Sequence, residues 1–194
     1  MDLRWWRFGV WSGLLAPVVF MVLYSIAAIG DPDYIFFRNY LSDLGVGPMA
    51  PFFNAAVIIA GGLTIPFALL ALRPTVGGGD MATLGVVLTM AAGVFLMLVG
   101  IFPDDTGNVH FGVTIAFFVS MMLALIAFSL VLHVTHALGR GMTKLTQVLA
   151  VVMIALFIAG FNPQTETVSV LVILAWGLAA AVTLLRLGAD ADTY

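Results

Sequence analysis

The chain contains no cysteine and few charged residues. Without cysteine it has no disulfide bond, no thiolate ligand for a metal and no cysteine nucleophile. Charged residues make up only 9% of its 194 residues, whereas soluble domains contain about a quarter. A net charge of -3 gives no reason to expect a nucleic-acid partner. Hydrophobic residues make up 62% and the mean hydropathy is +1.15, so the composition predicts an integral membrane protein.

Glutamate and lysine are also scarce. The chain has one of each, against nine aspartates and six arginines. Together with abundant alanine, valine and glycine, this bias is typical of a salt-adapted or GC-rich source and favours a halophilic archaeon. The bias concerns habitat rather than mechanism.

Six apolar runs are long enough to cross a bilayer. Its hydrocarbon core of about 30 Å requires roughly 20 helical residues. We expect spans at about 8–29, 52–72, 82–102, 111–137, 145–161 and 168–186. The connections between them are short, so the sequence predicts an all-α transmembrane bundle of six helices that forms a single domain over residues 1–194.

The basic residues predict how the bundle lies in the membrane. Arginine and lysine collect in cytoplasmic loops. Given the six spans, only Arg38 lies on the opposite side from all other basic residues. We therefore expect a multi-pass protein of the cell membrane with both termini in the cytoplasm. The cytoplasmic set is Arg4, Arg7, Arg73, Arg140, Lys144 and Arg186.

The first of the predicted outer loops has the pattern of a short amphipathic helix. Over residues 31–45, Asp31 can cap the start, Pro32 suits the first helical position and Gly45 or Gly47 can end the helix. At about 100° per residue, its aromatic and aliphatic side chains lie on one side. We therefore expect an interfacial helix whose apolar side faces lipid or the bundle. The opposite arc carries Arg38, Asn39, Ser42 and Asp43.

A second polar group follows the third predicted span. The loop "PDDTGNVH" at 103–110 carries Asp104, Asp105 and His110, and the second span opens with Asn54. All of these lie at the same predicted end of the bundle as the first outer loop. The candidate binding residues are therefore Arg38, Asn39, Ser42, Asp43, Asn54, Asp104, Asp105 and His110.

Several short motifs occur together along the chain. They are "NYLSDLG" at 39–45, "FFN" at 52–54, "GG" at 61–62 and "GIFPDD" at 100–105, which precedes His110. In this order they resemble domain-of-unknown-function family 998, whose members are small six-span membrane proteins. The resemblance implies a multi-pass protein without an established activity. A fainter likeness, in the serine-aspartate and histidine motifs only, extends to the DRAM and Sfk-like membrane proteins. The matching positions are Ser42, Asp43, Gly45, Asn54, Pro103 and His110.

Polar groups near lipid need partners, so this cluster predicts either a site or a network. As a binding site, it would hold a lipid headgroup or a small polar ligand, with Arg38 meeting phosphate. As a structural network, it would join the outer loops without a ligand. We expect membrane lipids as partners, no nucleic acid and no cofactor.

Two chemical alternatives use the same residues. A lipid hydrolase of the outer leaflet would take Ser42 as nucleophile, His110 as base, and Asp43 or Asp104 as orienting group. No nucleophile-elbow motif surrounds Ser42, and the sequence leaves enzymatic activity open. Asp43, Asp104, Asp105 and His110 also offer ligands for a divalent ion. A hydrolytic metal site normally has more histidines, so no metal is predicted.

Two further alternatives concern the helices. A six-span protein could transport a small molecule, yet no charged residue lies at the centre of a predicted span, where ion relays usually carry carboxylates.

Gly9 and Gly13 form a G-x-x-x-G spacing, which favours close approach of membrane helices. We expect such small-residue faces to allow a homo-oligomer.

Overall fold

The computed structural model describes residues 2–191, with side chains up to residue 188, and this part consists of six long helices without a strand. Each helix contains an apolar stretch long enough to cross a membrane, which confirms the predicted all-α, six-helix bundle. Met1 and residues 192–194 of the predicted domain lie outside the described residues. The helices are α1 (Leu3–Gly30), α2 (Ala50–Val76), α3 (Asp80–Ile101), α4 (Asn108–Thr135), α5 (Gly139–Ala159) and α6 (Pro163–Ala191).

Every helix begins a few residues before the apolar run that predicted it. The difference is largest in α5, which begins at Gly139, and is nearly as large in α1 and α6, which begin at Leu3 and Pro163. Charged residues near the starts of α5 and α6, such as Lys144 and Glu166, lie before the predicted spans. A helix can carry such residues where it reaches the membrane surface. Glu166 therefore belongs to a helix.

The six helices form a ring. Each helix packs against the next one in the chain, and α1 also packs against α6, which closes the ring. Helices can form such a ring within lipid because each helix pairs its own backbone N–H and carbonyl groups. One buried apolar cluster includes Trp176 and Phe128. A second one, with Phe20, Phe53 and Leu44, lies near the opposite end of the bundle.

Glycines bring α2 and α3 into direct backbone contact. A Cβ added to Gly61 would lie 2.5 Å from the carbonyl oxygen of Gly93, and one added to Gly93 would lie 2.8 Å from that of Gly61. Small residues allow this approach between membrane helices. Gly9 and Gly13 also face α2 of the same chain, beside Ala71 and Phe67. The G-x-x-x-G spacing thus serves packing inside the bundle, and the homo-oligomer stays a prediction.

Helix α2 changes its winding after Pro66. Pro66 has no N–H to donate, and residues Phe67–Leu72 adopt a π-helical turn before the helix resumes. The ring of Phe67 lies against Gly13 of α1. This irregular turn therefore directs a large aromatic side chain toward the middle of the ring.

The two ends of the ring differ in charge. One end, here called the acidic end, is formed by residues 31–49, 102–107 and 160–166. The opposite end, called the basic end, carries every arginine and lysine except Arg38. This arrangement is that of a multi-pass membrane protein, and which end faces the cytoplasm stays a prediction. The acidic end carries Asp31, Asp33, Asp43, Asp104, Asp105 and Glu166.

The predicted helix over residues 31–45 is wrong in extent. A helical segment is present, but it is a 3-10 helix of five residues, Leu41–Gly45, which we call the loop helix. Before it the chain forms turns. The side-chain oxygen of Asn39 accepts the N–H of Ile35 at 2.9 Å, and Asp43 accepts the N–H of Tyr40 at 3.0 Å. Short polar side chains thus bind the N–H groups that a longer helix would have used.

The contact between α2 and α3 predicts that two neighbouring substitutions affect thermal stability differently. Gly61→Ala should lower the thermal stability of the detergent-purified protein, because overpacking a tight contact costs about 1–3 kcal/mol. Gly62→Ala is the matched control, since nothing lies within 4 Å of its Cβ position. It should leave the stability unchanged or raise it by up to about 1 kcal/mol through helix propensity. Equal melting temperatures for both variants, measured by circular dichroism, would contradict this packing.

The predicted orientation can be tested with single cysteines, because the natural chain has none. Asp105→Cys is exposed at the acidic end, and Gly78→Cys is exposed at the basic end. In intact cells a membrane-impermeant maleimide should label the Asp105→Cys protein and should reach Gly78→Cys only after permeabilisation. Labelling in the reverse order would place the termini outside.

Candidate functional site

The three loops of the acidic end contact one another and form a roof over the bundle. The loop helix contacts both the start of α6 and the short 3-10 turn at Asp104–Thr106. The side-chain amide of Gln164 donates to the carbonyl of Phe37 over 2.8 Å. The ring of Tyr40 stacks on that of Phe161, with 5.4 Å between centroids. The roof thus joins segments from the first and second halves of the chain.

A buried carboxyl group, that of Glu166, holds the loop helix to α6. Only 4% of this residue is exposed. Its Oε2 accepts the backbone N–H of Leu41 at 2.6 Å, and Ser42 lies beside the carboxyl group. Among residues 2–188, no arginine or lysine pairs with it. Because burial of an unpaired carboxylate is costly, the N–H of Leu41 provides its main stabilisation.

Sequence reasoning missed Glu166, although a local signal marks its position. Asn162 accepts the N–H groups of Gln164 and Thr165 at 3.0 Å, as an N-cap residue does, and Pro163 occupies the first helical position. These two signals place the helix start at residue 163. Glu166 then shares a helix face with the apolar residues that follow it at intervals of three and four.

The described structure places His110 beside the second loop rather than beside Ser42. Its Nδ1 lies 2.8 Å from the carbonyl oxygen of Phe102, so Nδ1 carries the proton and donates. Its Nε2 lies 3.3 Å from the hydroxyl of Thr114 and 3.7 Å from Asp104. Between residues 2 and 188, no hydrogen bond joins Ser42 to His110.

Asn54 holds the other end of the loop helix. Its side-chain amide donates to the carbonyl of Gly45 over 3.0 Å, which ties the loop helix to the N-terminal part of α2. Its Oδ1 is buried and has no hydrogen-bond partner among residues 2–188. Asn54 therefore has a structural contact and one unused acceptor.

The remaining predicted site residues are separate from this cluster. Asn39 and Asp43 accept backbone N–H groups within the first loop. Arg38 and Asp105 are exposed. Within residues 2–188, no three aspartate, glutamate or histidine side chains are placed to hold a metal ion together. The predicted set thus divides between a buried group near Glu166 and side chains of the loop surface.

Below the roof, the ring encloses an apolar cavity of about 100 Å³. Its wall comes from the loop helix and from all the long helices except α5. Along α6 it extends from Glu166 to Gly177, a distance of about 16 Å along the helix. A cavity of this volume and this length is a narrow channel. Apolar side chains that line it include Phe20, Phe53, Ala92, Leu96, Phe117 and Val170.

The polar groups of the cavity are unevenly distributed. Ser42, Thr114 and Glu166 line it next to the roof. Thr64 and Thr89 line it deeper, but their hydroxyls donate to carbonyls of their own helices at 2.9 and 2.8 Å. The cavity therefore has a polar top and an apolar depth.

Comparison with known proteins places the chain in a family. A family model described as "Protein of unknown function (DUF998)" matches residues 14–183. The chain belongs to the DUF998 family. No curated protein and no solved structure gave a match. In this DUF998 protein the matched region contains the loop helix, His110, Glu166 and the residues that line the cavity except Gly13, while the likeness to DRAM and Sfk-like proteins stays a prediction.

Removal of the carboxyl group should weaken the roof of this DUF998 protein. Glu166→Ala leaves the buried N–H of Leu41 unpaired, which costs about 1–3 kcal/mol. The melting temperature of the detergent-purified variant should fall accordingly. Asp105→Ala, an exposed carboxylate at the same end, is the control and should stay within about 0.5 kcal/mol of the natural protein. Equal stability of both variants would show that the bonds to Glu166 do not hold the roof.

Proposed function

We propose that this protein binds one amphiphilic molecule from the bilayer, with the hydrocarbon chain in the cavity and the polar head at Ser42 and Glu166. This proposal rests on how polar and apolar groups are distributed along the cavity wall. The wall is apolar over its depth and polar only next to the roof. A molecule with one apolar chain and one polar end matches this distribution.

The composition of the wall supports a binding site. Ligand sites are usually lined by apolar and aromatic side chains with a few convergent polar groups. Apolar cavities stay free of water and accept apolar molecules. Since the hydroxyls of Thr64 and Thr89 donate to carbonyls of their own helices, they offer no donor to water in the deeper wall. In a bilayer, the available apolar occupant is a hydrocarbon chain.

The position of the roof also supports an amphiphile. Ile35 and Phe36, in the loop before the loop helix, expose about half of their surface. Exposed apolar side chains beside acidic ones are typical of the boundary between headgroups and hydrocarbon. A molecule bound with its head at Glu166 would keep its head at that boundary.

The hydrolase alternative has less support from the hydrogen bonds. In that alternative His110 is the base, so it would have to lie within hydrogen-bond reach of the hydroxyl of Ser42. In the described residues, Ser42 lies beside Glu166, whereas the ring nitrogens of His110 contact Phe102 and Thr114. Binding requires only the cavity and its polar top, so it is the function that we retain.

A structural network is the second candidate, and specific contacts favour it. The bonds of Glu166 to Leu41 and of Asn54 to Gly45 are internal, and they join the loops without a ligand. The two candidates differ in what happens when the cavity is filled. Filling it would abolish ligand binding but would leave a structural network intact.

A pair of glycines provides this test. Gly177 lines the cavity and Gly112 lies on the exposed side of α4, and nothing lies within 4 Å of either Cβ position. Hexadecanol with a photoreactive diazirine in its chain should label cavity residues of the natural protein. Gly177→Leu should reduce this labelling by about tenfold or more, equivalent to about 1.4 kcal/mol. Gly112→Leu should label like the natural protein.

Mass spectrometry of the labelled peptides decides between the candidates. Label on residues such as Phe117 and Val170, lost in Gly177→Leu, supports binding in the cavity. Label confined to exposed lipid-facing residues, or equal in both leucine variants, would contradict the proposal. The contacts at the roof would then serve structure alone.

A further inference from the structure

The groups at the top of the cavity are mainly hydrogen-bond acceptors. When it is ionised, the carboxyl group of Glu166 only accepts. Nδ1 of His110 donates to Phe102, so with a neutral imidazole the hydroxyl of Thr114 donates to Nε2 and its oxygen remains free to accept. Ser42 lies beside the carboxyl group of Glu166. A ligand that reaches this point therefore meets oxygen atoms that need a donor.

The charge near the cavity top is negative. Asp43 and Asp104 lie in the same roof as Glu166. Burial raises the pKa of Tyr40, and the neighbouring carboxylates of Glu166, Asp43 and Asp104 raise it further. The one basic residue of this end, Arg38, is exposed, and no ion pair of its side chain occurs among residues 2–188.

The space next to these groups is small. Ser42, Thr114 and Glu166 are each more than nine-tenths buried. The loop helix, to which Ser42 belongs, lies over this space, and hydrogen bonds to Glu166 and Asn54 fix its two ends. A large headgroup would have to displace this helix.

From these observations we propose that the bound amphiphile carries a small head that donates hydrogen bonds and has no negative charge, namely a hydroxyl or a protonated amine. This inference rests on the proposed function, because it names the head of the molecule whose chain occupies the cavity. Glu166 accepts from the head, and Thr114 offers a second acceptor. An anionic head would lie against a carboxylate, and phosphate recognition by Arg38 is not part of this site.

Four competitors with the same chain test the head. They are hexadecanol, hexadecylamine, hexadecyl methyl ether and hexadecanoate, each competing with photoreactive hexadecanol. At about pH 9 the carboxylic acid is ionised and the amine is mostly protonated. The alcohol and the amine should displace the probe at concentrations about tenfold lower than the ether and hexadecanoate, because only they donate to Glu166.

Variants then assign the selectivity to Glu166. Glu166→Gln keeps an acceptor oxygen and removes the charge. The roughly tenfold difference in displacing concentration between the amine and the ether should therefore disappear, while the alcohol should still compete. Asp105→Asn removes a charge from the exposed surface of the same end and should leave the order unchanged. Arg38→Ala should also leave it unchanged.

The outcomes separate the two proposals. Equal competition by all four compounds, with label still lost in Gly177→Leu, would overturn the inference about the head and leave chain binding in place. Preference for hexadecanoate, abolished by Arg38→Ala, would also overturn it and would favour an anionic head. Absence of label from the cavity of the natural protein would overturn both.

Discussion

The acidic end of this protein depends on one buried carboxyl group. Glu166 accepts the backbone N–H of Leu41, 125 residues earlier in the chain, at 2.6 Å. The bond between the loop helix and α6 therefore joins distant parts of the sequence. It lies where the ring closes, since α6 is also the helix that packs against α1. A carboxyl group buried without a cation is costly unless donors surround it, so the loop helix and Glu166 stabilise each other.

The ring beneath this roof explains why a cavity exists. Direct backbone contact at Gly61 and Gly93 brings α2 and α3 close together, while contact between α6 and α1 closes the ring around the interior. Side chains from five helices reach the interior without filling it. Because the roof supplies the polar groups and the helices supply an apolar wall, the enclosed space has the polarity of an amphiphile. The proposed function follows from that distribution rather than from any single residue.

Some of this organisation could be predicted from the sequence. Apolar runs determine the six helices, and the motifs around Ser42 and His110 indicate the family, which a match over residues 14–183 confirms. The helix over 31–45 was wrong because helical spacing does not reveal that Asn39 and Asp43 bind local N–H groups instead. Glu166 was missed because an apolar run starts after it. The cavity could not be predicted, since it depends on the packing of residues far apart in the chain.

The most direct test of this account is a cryo-electron microscopy map of the protein in lipid nanodiscs. The account predicts elongated density between the helices, running from the carboxyl group of Glu166 to Gly177, with the loop helix closed over it. The carboxyl oxygen should lie within hydrogen-bond distance of the N–H of Leu41. A ring interior filled by side chains, or a Glu166 carboxyl group turned to solvent with the loop helix displaced, would contradict it.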